Sequence, residues 1–237
     1  MRPIGFSTGA IARGDFRRAI SLLLDHQVRV IELSALRYEE LAPLCAAIPD
    51  LDLGGFTFVS LHAPSQFDRS LECTVIDQLL QVSQHGLPII VHPDVMYTPA
   101  RWTAFGPNLL IENMDRRKPI GRTAEEMQQV FDVVEQARFC FDIGHSRQVD
   151  PSMTEAWLLL HAFREKLAEV HISEVNTSSR HDPISKNAIA AFRSVARYIP
   201  EQTPIISEAL IDEGQSDIAT ELQSARESLR DLHLAVA

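Results

Sequence analysis

The chain has little of what commits a protein to a special environment. Its three cysteines, Cys45, Cys73 and Cys140, are scattered through 237 residues without CxxC spacing. An odd, dispersed set excludes a disulfide framework and fits a reducing compartment. The longest apolar runs, such as residues 87–91, fall far short of the roughly 20 residues that a membrane span needs. Residues 1–9 contain no long apolar stretch of a secretory leader, so a soluble, cytoplasmic protein is expected. Positive charge is scarce: 22 Lys and Arg face 32 Asp and Glu, a formal net charge of -10. General affinity for nucleic acid or for an anionic membrane needs a positive surface, so this balance argues against both. No GxGxxG follows the first apolar run and no GxxxxGK[ST] occurs anywhere, which removes the phosphate-cradling nucleotide loops. No Pro-, Gly- or Ser-rich linker divides the chain.

What is present is an ordinary globular balance, 45% hydrophobic and 23% charged, enough to bury a sizeable core. Short apolar runs alternate with amphipathic stretches. Strands are expected at 4–8, 28–34, 57–62, 88–92, 108–113, 138–142, 167–173 and 204–208. Helices are expected near 15–26, 38–47, 67–85, 123–136, 152–165, 185–199 and 216–234, with only a short one in 93–107. Asp15 is placed to cap the first helix, and Thr123 with Glu126 forms a capping-box pattern. Strands that alternate with helices pair in parallel, because each must cross over before the next. Eight of them without a nucleotide loop point to an α/β fold, a closed (β/α)₈ TIM barrel, as a single domain over residues 1–237.

The strand ends carry the chemistry. The third ends in Ser60-Leu61-His62 and the fourth in Val91-His92. The fifth ends in Ile111-Glu112-Asn113 and the sixth in Phe141-Asp142, followed by Ile143-Gly144-His145. The seventh contains Val170-His171-Ile172-Ser173 and the eighth ends in Ser207-Glu208. In a barrel these ends converge on one mouth. Singly, each residue has a plainer reading: a hydrogen-bonded buried histidine for His62 or His92, a cap for Asp142, surface acids for Glu112 and Glu208. Jointly, six consecutive strands ending in ligand-type residues point to a metal site. Clustered carboxylates repel, and a divalent cation removes the conflict. Mixed histidine and carboxylate donors suit zinc, manganese, iron or cobalt better than magnesium or calcium.

These residues, over nearly the whole chain from Gly5-Phe6-Ser7-Thr8-Gly9 to Ile206-Ser207-Glu208, resemble the xylose isomerase-like TIM barrel superfamily. That superfamily includes sugar phosphate isomerases and epimerases and the endonuclease IV-like proteins (AP endonuclease family 2). The most specific pieces are His62-Ala63-Pro64, Ile111-Glu112-Asn113-Met114, Asp142-Ile143-Gly144-His145 and Arg180-His181. The resemblance implies a metal tetrad of Glu112, Asp142, His171 and Glu208. Its endonuclease branch implies His62 and His92 as further ligands, with Glu112 bridging to a second ion. A third ion would take His145 and His181, for one to three ions in all. The branch has an Asp-x-His where this chain has Ser179-Arg180-His181, a departure that weakens the third ion. Asp182 is a candidate substitute.

Two reactions follow from the resemblance. The expectation placed first is isomerisation or epimerisation of a small sugar or sugar phosphate, with a metal-stabilised enediolate. Glu112 and Glu208 would exchange the proton, and His145 and Arg180 would position the substrate. The alternative is phosphodiester hydrolysis at two or three ions, the one case with a nucleic-acid partner. A multinuclear iron oxygenase and a sugar-binding sensor are further readings. Homo-oligomerisation stays open. Arg116, Arg117, Lys118 and Arg122 follow the fifth strand and could take a phosphate, or form a solvated mixed-charge loop with Asp115, Glu125 and Glu126. Glu32 ends the second strand as a candidate for the pocket wall, or for a surface or core hydrogen-bonding role. Trp102 is a candidate cover for the mouth.

Overall fold

The computed structural model describes residues 2–211 and 217–230. Eight strands form one closed barrel: β1 (Ile4–Ser7), β2 (Val30–Ser34), β3 (Phe58–His62), β4 (Ile89–Val91), β5 (Leu109–Glu112), β6 (Arg138–Asp142), β7 (Leu167–Ile172) and β8 (Ile205–Ser207). All pairings are parallel between sequence neighbours, and Gly5 opposite Ile206 closes the ring. The barrel is the architecture expected from alternating strands and helices, and every expected strand is present.

The surrounding helices are α1 (Thr8–Ala12), α2 (Phe16–Asp25), α3 (Tyr38–Ala47), α4 (Glu72–Ser83), α5 (Pro99–Trp102), α6 (Ala124–Phe131), α7 (Ile143–Val149), α8 (Thr154–Ala162), α9 (Lys186–Arg193) and α10 (Ile218–Ser228). Several begin where the sequence offers a cap. Asp15 accepts from Arg18 N at 3.0 Å, and Thr123 Oγ1 accepts from Glu126 N at 3.2 Å. Glu126 does not return to Thr123 N as a capping box requires; its carboxylate takes Arg122 N at 2.8 Å. The helix expected over 67–85 starts at Glu72, because Asp68 first caps a 3₁₀ turn at Arg69–Leu71. Positions 216 and 231–234 of the last expected helix lie outside the described residues. The short helices α1 and α7 were not anticipated; each follows its strand without a loop.

Alternation along the strands sorts the side chains. On β6, Phe139 and Phe141 face the helices, where Phe139 and Phe163 lie 5.6 Å apart and Phe131 and Phe163 4.9 Å apart. Rings of this size bury on the order of 150–250 Å² each, and that outer layer holds the helices to the barrel. Cys140 and Asp142 of the same strand then face the barrel axis. In the interior, Ile90, Leu110, Cys140 and Ala168 form a small apolar cluster. The polar residues stand above it, toward the C-terminal mouth.

Trp102 does not cover the mouth. It ends α5 fully buried, stacks on Phe105 at 5.6 Å and donates Nε1–H to Glu72 at 3.0 Å. Its large apolar face is better satisfied in the outer layer than over a polar opening.

Candidate metal centre

Strand ends deliver the site residues to one place. His62, Glu112, Asp142 and His171 are the inward residues at the tops of β3, β5, β6 and β7, while His92 and Glu208 directly follow β4 and β8. His145 stands on the first turn of α7, and His181 on a short antiparallel ribbon that pairs Glu174–Val175 with His181–Asp182. Three local devices hold this frame. Asn113 clamps Asp142, accepting from Asp142 N at 2.8 Å and donating to its carbonyl at 2.9 Å. Asp142 also caps α7 by accepting from His145 N at 2.6 Å, so its cap role and its inward position are compatible. A Cβ at Gly144 would lie 2.4 Å from Ser173 O, so only glycine lets α7 approach β7 this closely.

Donor atoms fall into overlapping sets whose members lie within 4.8 Å of one another: His62–His92–Glu112, Glu112–Asp142–His171–Glu208, and Asp142–His145–His181. Glu112 joins the first two and Asp142 the last two. Glu112 Oε2 is 3.0 Å from His62 Nε2 and 3.2 Å from His92 Nε2. Its other oxygen, Oε1, is 3.3 Å from His145 Nδ1 and 3.5 Å from His171 Nδ1. Backbone carbonyls set two of the tautomers. His62 donates Nδ1–H to Ala63 O at 2.7 Å, and His145 donates Nδ1–H to Asn113 O at 2.9 Å. Each ring is thereby left with Nε2 as its lone-pair nitrogen when neutral.

The residues fit a cation. Glu112 Oε1, Asp142 Oδ2, His171 Nδ1 and Glu208 Oε2 are buried and have no hydrogen-bond partner. Such orphaned atoms are rare in folded proteins, and a cation satisfies all four at once. The titration pattern agrees. Burial opposes the charge on His62 and His145, yet the surrounding carboxylates prevail and raise them to about 9 and about 10. Burial, against the pull of His145, raises Asp142 to about 7. Burial would raise Glu208, but His171 and His181 outweigh it and hold its carboxyl below the ordinary range.

Expected residues outside the three sets are placed differently. Ser179 adopts a left-handed φ of 53° and donates its hydroxyl to Asp115 Oδ1 at 2.7 Å, so it joins none of the ligand sets. Asp182 is engaged by Asn176 at 2.8 Å and Arg180 at 3.3 Å and does not replace it. Arg180 lines the cavity above the sets together with Arg117 and Lys118. Arg122 is instead paired with Glu126, the mixed-charge role, and Lys118 bonds Asp94 at 2.8 Å. Glu32 is fully buried and does not line the cavity; with Glu169 it lies beside His171 inside the barrel. Glu169 was missed, although it stands two residues before His171 and alternation sends both to the same face.

No protein-family model matches the sequence, and no curated protein matches it. Solved structures do. Endonuclease IV from Thermus thermophilus superposes with a TM-score of 0.60 at 16% identity, covering 95% of this chain and 97% of that one. A 7,8-dihydropteroate synthase from Vibrio fischeri gives 0.53 at 12% identity, covering 100% and 94%. A racemase from Streptomyces coelicolor with bound magnesium gives 0.54 at 12% identity; the match covers 90% of this chain and 58% of the racemase. Identities this low establish what these proteins share with this chain: the eight-stranded (β/α)₈ barrel.

Proposed function

We propose that residues 1–237 form a single-domain enzyme that hydrolyses a phosphate ester at two or three divalent ions. The observation that carries this reading is Glu112, whose two oxygens face different imidazole pairs, His62 with His92 on one side and His145 with His171 on the other. A carboxylate so divided suits a bridge between two ions, and a lone ion in the tetrad would leave His62 and His92 without a task. The likeness to endonuclease IV over nearly the full length of both chains supports the same choice. Divalent ions held there would lower the pKa of a water molecule and stabilise charge on a phosphoryl group.

The chain's own groups supply the rest. A cavity of about 420 Å³ lies above the ligand sets, in the size range of small-molecule sites. Arg117, Lys118 and Arg180 on its wall offer donors to phosphate oxygens. Glu208, held ionised, orients an attacking water by accepting its hydrogen. His181 Nδ1, bonded to Ser173 Oγ at 2.8 Å, lies 3.3 Å from Glu208 Oε2 on the rim of the same site.

One observation favours the isomerase or epimerase reading instead. Glu112 Oε1 and Glu208 Oε2 both lie 3.5 Å from His171 Nδ1, so two carboxylates flank a single ligand point as a proton-exchanging pair would. Metal analysis combined with a substrate panel separates the two. The panel comprises an aryl phosphodiester, an abasic-site duplex, and a set of ketoses and aldoses. Two or more ions per chain, with hydrolysis reduced at least about 100-fold in His92→Ala, support phosphoester hydrolysis. One ion with ketose–aldose interconversion refutes it in favour of isomerisation, and oxygen uptake by an iron-loaded preparation refutes both.

A further inference from the structure

Beneath the ligand sets the barrel interior is lopsided. Below Asp142, Glu112 and Glu208 stand Cys140, Leu110 and Ile206, but on β2, β3 and β7 the corresponding inward residues are Glu32, Ser60 and Glu169. Glu32 and Glu169 are both fully buried, and Glu32 Oε1, Glu32 Oε2 and Glu169 Oε2 have no hydrogen-bond partner. Two acids at the axis of a barrel are costly to bury, and stability alone would favour apolar residues there. The hydrolytic chemistry proposed above uses neither of them.

Both lie beside the imidazole of His171. Its Nε2 lies 3.1 Å from Glu32 Oε2 and 3.7 Å from Glu169 Oε1. Its Nδ1 points the other way, 3.5 Å from both Glu112 Oε1 and Glu208 Oε2. The ring therefore spans two layers, with one nitrogen in the ligand tetrad and one among buried acids. An imidazole that offers Nδ1 to a cation must keep its hydrogen on Nε2, and a fully buried Nε2–H needs an acceptor. Glu169 is anchored elsewhere, since Ser60 Oγ donates to its Oε1 at 3.0 Å. Glu32 is the closer acceptor and has both oxygens uncommitted.

From this we infer that Glu32 is a positioning residue of the metal centre: it accepts the Nε2 hydrogen of His171 and so presents Nδ1 to the Glu112–Asp142–Glu208 set. Glu169, pinned by Ser60, lies farther from the same nitrogen, at 3.7 Å. The negative charge of Glu32 also strengthens Nδ1 as a donor. The inference rests on the metal reading above and adds to it a reason for two buried acids that stand outside the three ligand sets.

The test uses full-length protein and Zn²⁺ alone as the probe. Chelator-competition titration gives the affinity, long-range proton–nitrogen spectra of the zinc form give the His171 tautomer, and melting of the metal-free form reports on folding. Wild type is expected to bind Zn²⁺ with His171 hydrogenated at Nε2. Glu32→Gln and Glu32→Leu are expected to lose affinity by about 10–100-fold, Leu more than Gln because the amide oxygen still accepts. Metal-free melting is expected to fall in both variants, because Glu32 also supports the charge on the His62 and His171 rings. Unchanged affinity in both variants overturns the inference and leaves the metal centre standing. An affinity loss as large in Glu32→Gln as in Glu32→Leu also overturns it, because the amide oxygen still accepts the Nε2 hydrogen and a positioning role would be partly rescued. Wild type that takes up no Zn²⁺ overturns the metal reading and this inference together.

Discussion

Loading the cluster should release protons, and their number follows from the imidazoles. In the metal-free chain His62 sits at about 9 and His145 at about 10. At pH 7.5 both rings therefore carry two hydrogens, with occupancies of about 0.97 and about 1. His171 is raised as well, whereas His92 and His181 are lowered, with burial as the main cause. Asp142, at about 7, contributes on the order of 0.2. A ligating ring must give up its extra hydrogen, so full loading at pH 7.5 should expel at least about two protons per chain. Zinc titration calorimetry in buffers of different ionisation enthalpy reads that number as a slope. The overall loading constant should then rise at least about 100-fold between pH 7 and pH 8, tenfold per proton. Above pH 10 the release should fall, because His62 has already lost its proton. Tight binding with a slope near zero at pH 7.5 would refute the claim that these imidazoles are both charged in the metal-free chain and used as ligands.

The metal-free protein should become less stable as pH rises. His62 and His145 have folded values above the ordinary 6.5, so their contribution is complete below 6.5 and is lost as pH climbs through about 9 and 10. Melting curves from pH 6 to pH 10, with and without Zn²⁺, check this; the loaded form should not share the decline. Burial raises Glu221 from 4.5 to about 7, so its ionisation weakens the fold as pH rises through that window, and Glu221→Gln should flatten the stability profile between pH 5 and 7. Gly144→Ala should cost on the order of 1–3 kcal/mol in urea unfolding and weaken zinc binding, because α7 and His145 must back away from Ser173 O. Trp102→Ala should cost about 3–5 kcal/mol while leaving zinc affinity intact, since its ring packs in the outer layer; a large affinity loss would return it to the mouth.

Much of the barrel was legible in the residues. Strand runs such as Leu109–Glu112 and Leu167–Ile172 are short, β-rich and buried on both faces, which is how parallel barrel strands read. The ends of six of them named the ligand-type residues directly. Short helices were harder: α1 and α7 are five and seven residues long, too brief for a 3.6-residue period to show. Trp102 was misplaced for a related reason. Its distance from the strand end was visible, but the direction of its ring depends on Phe105 and Glu72.

What the sequence by itself determined was the list of strands, the face each inward residue takes and the chemical type at each strand end. These depend on neighbours along the chain, and a period of two is a local property. Only the tertiary structure decided that Glu112 divides its oxygens between imidazoles 20 to 59 positions away, and that Ser179 is turned toward Asp115. It also decided that Glu32 meets His171 across 139 residues of sequence. Such meetings depend on closure of the ring and on the stagger between strands, which no local pattern encodes.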